Sequence, residues 1–106
     1  MDPQFERRAE AELQRLMARI DDALGDTVDV EYQNGILTLE LQDGGQYVIN
    51  RHGPNREIWL SSPRSGAWHF AYDQAADAWR STRGAEILTA ILNRELAAVT
   101  GTDPRL

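Results

Sequence analysis

The chain has 106 residues, 42% of them hydrophobic, and neither cysteine nor lysine, which excludes disulfides, thiolate metal ligands, thiol nucleophiles and Schiff-base chemistry. That length suits one domain with a single core, residues 1–106, and no apolar run approaches the roughly 20 residues needed to span a bilayer. Of the formal charge of −6, residues 1–50 carry 11 acids against 4 arginines and residues 51–106 carry 6 against 7, so the anionic half lacks a nucleic-acid footprint and suits cations or a basic protein surface.

The opening residues MDPQFERRAEAEL mix both signs of charge and have no apolar h-region, so a soluble, cytoplasmic protein is expected. From Pro3 to about Leu24, Phe5, Ala9, Leu13, Leu16, Met17, Ile20 and Leu24 recur at spacings of three and four, which predicts a long amphipathic helix. Asp2 is placed to cap it, Pro3 to open it and Gly25 to stop it. Glu6, Glu10 and Asp21 fall along one edge of its apolar stripe, while Arg8, Arg15 and Arg19 fall along the other.

Next, Val28–Tyr32 alternates strictly, Asn34-Gly35 follows, and Ile36–Leu41 alternates again, a strong hairpin signal. Asp29, Glu31, Thr38 and Glu40 then share the exposed face. Asp43-Gly44-Gly45 turns the chain into Gln46–Tyr72, three short strands broken at Gly53-Pro54-Asn55 and at Ser62–Gly66. Parity there sends Tyr47, Ile49, Ile58, Leu60, Trp68, Phe70 and Tyr72 inward, and Val48, Asn50, Glu57, Trp59, Ser61 and His69 outward. A last strand is expected at Ala78–Thr82, and a second helix from about Ala85 to Val99, stopped by Gly101. Two roughly parallel terminal helices packed on one face of a five- to six-stranded antiparallel sheet, an α+β two-layer sandwich, bury every apolar stripe. The other sheet face is left to water or a partner.

Taken alone, the acids Asp21, Asp22, Asp26, Asp29 and Glu31 make either a solvated surface or a weak site for a hard cation, since oxygen ligands suit iron, manganese or calcium. Asp21 and Asp22 point about 100° apart on a helix, so coordination there is expected to be exposed, incomplete and completed by water. Trp59 is either an interface anchor or a satellite core residue beneath the loop Arg51–Arg56. His52 and His69 lack the spacing of a zinc site, and Ser61-Ser62 lacks the Gly-x-Ser-x-Gly elbow of a hydrolase.

The order helix, meander, helix, with INRHGPNREIWLSSPRSGAWHF and the acidic run DDALGDTVDVE, resembles the frataxin family, called CyaY in bacteria. The resemblance implies an accessory protein of iron–sulfur cluster assembly that binds Fe(II) or Fe(III) on surface carboxylates. It also implies docking on a cysteine desulfurase and scaffold protein, as iron donor or regulator of sulfur transfer. Matched by position, the metal ridge falls on Glu10, Asp21, Asp22, Asp26, Asp29 and Glu31, with Glu6 further up the helix, and the docking face on Asn50, Trp59 and His69, with His52. Some relatives oxidise ferrous iron slowly, but a dedicated enzyme is not expected. Met17 and Ala18 stand where bacterial relatives often carry acids, so the ridge is thinner here. A monomer without iron, with an iron-dependent oligomer open to it, completes the expectation; the rival is a metal-independent domain whose acidic face meets a basic partner.

Overall fold

In a computed structural model describing residues 2–106, Asp2 Oδ1 accepts the N–H groups of Gln4 and Phe5 at 3.0 and 3.2 Å, and Pro3 opens helix α1, Pro3–Leu24. Capping of this kind satisfies two of the four amide donors a helix start leaves free and contributes about 1 kcal/mol. The Gly25 N–H closes the far end on the Asp21 carbonyl at 2.9 Å. Phe5, Ala9, Leu13, Leu16, Ile20 and Leu24 are buried, as their spacing requires.

Six strands follow: β1 Asp29–Gln33, β2 Ile36–Glu40, β3 Gln46–His52, β4 Glu57–Ser62, β5 Gly66–Asp73 and β6 Ala78–Ser81. Each pairs antiparallel with its neighbours in sequence, giving the order β1-β2-β3-β4-β5-β6. Asn34 and Gly35 both take positive φ, 54° and 77°, as the tight turn between β1 and β2 demands. Inward parity holds along the sheet: Leu37, Leu39, Tyr47, Ile49, Ile58, Leu60, Phe70 and Trp79 are buried in one core with the α1 stripe.

Helix α2 spans Leu88–Thr100, three residues shorter at its start than the periodicity predicts. The reason is tertiary. Residues 82–87 fold back on β6, with Ser81 N–H donating to the Glu86 carbonyl at 2.7 Å and a bridge between Arg80 and Ile87. This covers part of an open sheet edge. Both helices lie on the same sheet face and run the same way: Thr89 shares a groove with Arg8 and Ala11, whereas Val99 and Thr100 share a cleft with Thr27. The residues after Gly101 double back over the helices. Arg19 Nη2 donates to the Pro104 carbonyl at 2.6 Å, and the Leu106 N–H to Asn93 Oδ1 at 2.8 Å.

Candidate functional site

The end of α1 and the adjoining hairpin gather exposed carboxylates. Asp21, Asp22, Asp26, Asp29 and Glu31 are all exposed. Register adds one acid that the sequence reading set on this face without including it in the site: Glu40 stands directly opposite Asp29. Counting back across Asn34-Gly35 was enough to find it. Like charges facing each other across strands are unfavourable, so this pairing is tolerated rather than selected for stability. Asp22 approaches Arg19 at 3.3 Å, an exposed contact of little weight. Asp21, Asp26, Asp29, Glu31 and Glu40 make no ion pair among the described residues.

Nor do any three carboxylate or imidazole groups among the described residues converge closely enough to hold a metal ion. The acids form an open band, able to attract a cation and hold it through water rather than enclose it.

Glu10 does not join this band. It lies eleven residues before Asp21, about 16 Å along the helix axis. Its carboxylate is already occupied: the Tyr32 hydroxyl and Arg51 Nη1 (3.2 Å) bond to Oε1, and Gln14 Nε2 donates to Oε2 at 2.8 Å. The Tyr32 hydrogen bond, then that from Gln14, with Arg51 adding to them against partial burial, holds Glu10 below the ordinary carboxylate range. Burial, then the Glu10 carboxylate, pushes the Tyr32 phenol up to about 12. Glu10, expected among the metal ligands, thus ties α1 to β1 and β3 and stands apart from the acids at Asp21–Glu31.

The outer face of the sheet carries the docking candidates in one row. Asn50 stands opposite Trp59, and Trp59 opposite His69. Trp59 stands in the middle of this row. It is half-buried, its indole stacked between the rings of His52 (3.7 Å between centroids, 10° between planes) and His69 (4.2 Å, 9°). Trp59 Nε1 donates to Glu57 Oε1 at 2.8 Å, and His69 Nδ1 lies 3.8 Å from the same oxygen. With both indole faces covered and its N–H committed, only the ring edge remains to meet a partner. An open cleft of about 330 Å³ adjoins His69, lined also by Ser65, Trp68, Ser81, Arg83 and Glu86.

A buried carboxylate that the sequence reading passed over fixes the β4–β5 turn beside this face. Glu95 of α2 is 6% exposed and accepts from the hydroxyls of Tyr47 (2.9 Å), Ser62 (2.6 Å) and Ser65 (2.6 Å). Ser62 Oγ in turn accepts the N–H groups of Arg64 and Ser65, and Ser65 Oγ accepts Trp68 Nε1. Desolvation alone would raise the Glu95 pKa, but the three donors, aided by Arg64, outweigh it and hold the group below its ordinary value. Burial and Glu95 push the Tyr47 phenol up to about 12. Ser62 and Ser65 of SSPRSG are therefore hydroxyl donors to a buried carboxylate. The available signal was Glu95 itself, an acid in the apolar stripe beside Leu92 and Leu96.

Comparison with known proteins gives a consistent picture. A profile of the frataxin-like domain matches residues 1–102. The chain is 44% identical over 107 residues to the iron–sulfur cluster assembly protein CyaY of Thioalkalivibrio sulfidiphilus, covering 99% of this chain and 98% of that one. It is 38% identical to mitochondrial frataxin of Arabidopsis thaliana, over 94% of this chain and 56% of that protein. Trimeric frataxin from the yeast Saccharomyces cerevisiae, solved in complex with ferrous iron, superposes with a TM-score of 0.75 at 36% identity, covering 90% of this chain and 87% of that one. Frataxin from Psychromonas ingrahamii gives 0.83 at 22% identity, over 94% and 91%, a likeness of fold. No helix among the described residues is long and apolar enough to cross a membrane.

Proposed function

Because the chain belongs to the frataxin-like, CyaY family, we propose that it serves iron–sulfur cluster assembly in the cytoplasm as a weak binder of iron. The observation that carries the reading is the band of exposed acids Asp21, Asp26, Asp29, Glu31 and Glu40, without ion pairs among the described residues, with Asp22 at its edge. Iron is cargo here. Fe(II) or Fe(III) is a hard ion that takes carboxylate and water oxygens, and an open band binds it with modest affinity and releases it readily. Exposed charges are screened over about 8 Å at physiological salt, so binding weakens as salt rises. The outer face around Asn50, Glu57 and His69 supplies the contact with a cysteine desulfurase and its scaffold, and the acids steer the approach of a basic partner. The role is binding rather than dedicated catalysis.

A second reading, a metal-independent regulator, draws on the lack of any converging triad of ligands among the described residues. Anaerobic Fe(II) titration followed by NMR separates the two. Loss of signal confined to residues near Asp21–Glu31 and Glu40 supports iron carriage. An unperturbed spectrum, with desulfurase binding intact, leaves the regulator.

A further inference from the structure

Arg51 is the one arginine of β3, and its parity points it at the helix layer rather than at the outer face. Its guanidinium reaches two α1 carboxylates one turn apart: Nε lies 3.4 Å from Glu6 Oε2 and Nη1 3.2 Å from Glu10 Oε1. The turn between β1 and β2 is shaped to let it pass. A Cβ on Gly35 would stand 2.8 Å from Arg51 Nε, and the Arg51 N–H donates to the Gly35 carbonyl at 3.3 Å. Tyr32 and Gln14 hold Glu10 from the other sides.

Carboxylates at i and i+4 are neighbours on a helix, a spacing at which two acids can share a cation. In this chain the shared cation is its own. We infer that Arg51 is an internal counter-ion that withdraws Glu6 and Glu10 from the cation-binding surface, so that iron is confined to the acids from Asp21 onward. The inference rests on the iron-binding reading and adds a limit to it. A dication near Glu10 would have to displace a guanidinium that bridges both carboxylates, or sit beside its charge; neither competes with the open acids further along.

Manganese(II), as a paramagnetic probe, tests this without any cluster-assembly assay. In the parent protein, NMR signals near Asp21–Glu31 broaden and those of Glu6 and Glu10 do not. Arg51→Gln brings broadening at Glu6 and Glu10 at tenfold or more lower Mn(II) than in the parent, Arg51→Lys retains the parental pattern, and adding Glu10→Gln to Arg51→Gln abolishes the new signal. A folded Arg51→Gln without it, or broadening of Glu6 and Glu10 in the parent, overturns the inference. If Arg51→Gln does not fold, Glu10→Gln alone decides: unchanged Mn(II) binding supports the inference, and weakened binding refutes it. Should the parent show no broadening near Asp21–Glu31 while Arg51→Gln gains it at Glu6 and Glu10, the iron-binding reading fails and the role of Arg51 stands.

Discussion

Replacing Glu95 with glutamine keeps its shape and removes its charge, which isolates what the carboxylate does for the β4–β5 turn. Three hydroxyls donate to it at 2.6 to 2.9 Å. Hydrogen bonds to a charged acceptor contribute about 1.5–3 kcal/mol each, and neutral ones about 0.5–1.5; glutamine keeps one acceptor oxygen for Tyr47 and Ser62 and turns an NH2 toward Ser65, so two weakened bonds and one lost acceptor forfeit about 3 kcal/mol. Relief of a buried charge returns part of that, and a net destabilisation of about 1–3 kcal/mol is expected for Glu95→Gln. Urea unfolding measures it: at an m-value of about 2 kcal/mol/M the midpoint falls by about 0.5–1.5 M. The sign with pH is also fixed. The folded-state pKa of Glu95 lies below the ordinary 4.5, so its stabilisation is complete above that value and fades as pH falls through the lower folded-state value. The gap between parent and Glu95→Gln should therefore be constant near neutrality and close below about pH 4.5. A variant as stable as the parent at pH 7, or a gap that widens in acid, refutes the account of Glu95 as the lock of this turn.

Trp59→Ala removes two ring stacks, each worth about 0.5–1.5 kcal/mol, so thermal unfolding should show a loss of about 1–3 kcal/mol besides weaker desulfurase binding. A variant with parental melting would show that the stack contributes nothing. Glu40→Lys replaces a like-charge pair with Asp29 by an opposite one and should raise stability by about 0.2–1 kcal/mol in denaturant melts while weakening Fe(II) uptake in calorimetry. A loss of stability would mean that Asp29 and Glu40 do not sense each other.

What the sequence makes legible is what local spacing encodes. Asp2, Pro3 and Gly25 bound α1, and Asn34-Gly35 sets the first hairpin, because caps and turns are decided by a few adjacent residues. The stack on Trp59 was half legible. Counting outward from Ser62 opposite Gly66 sets Trp59 against His69, and from His52 opposite Glu57 sets His52 diagonally beside it. Parity alone showed which face, not that the rings would cover one another. Glu10 and Glu95 were beyond such counting, since Arg51 is 41 residues from the first and Ser62 33 from the second. An acid on a helix looks the same in sequence whether it faces water, a cation or a hydroxyl. The start of α2 was misplaced for a related reason: Ile87 has helical periodicity but is drawn into a bridge with Arg80.

The uncrossed order of the sheet has a consequence for how the chain reaches its fold. Every strand pairs with the next one along, so each hairpin closes over a turn of a few residues and the sheet can assemble as a sequence of short-range steps. The lock on the β4–β5 turn belongs to another timescale. Bringing Glu95 to Ser62 closes 33 residues, about 2 kcal/mol more in loop entropy than a four-residue turn. Closing the SSPRSG turn is thus the cheaper step, and it is the docking of α2 that adds the Glu95 contacts fixing the turn beside His69.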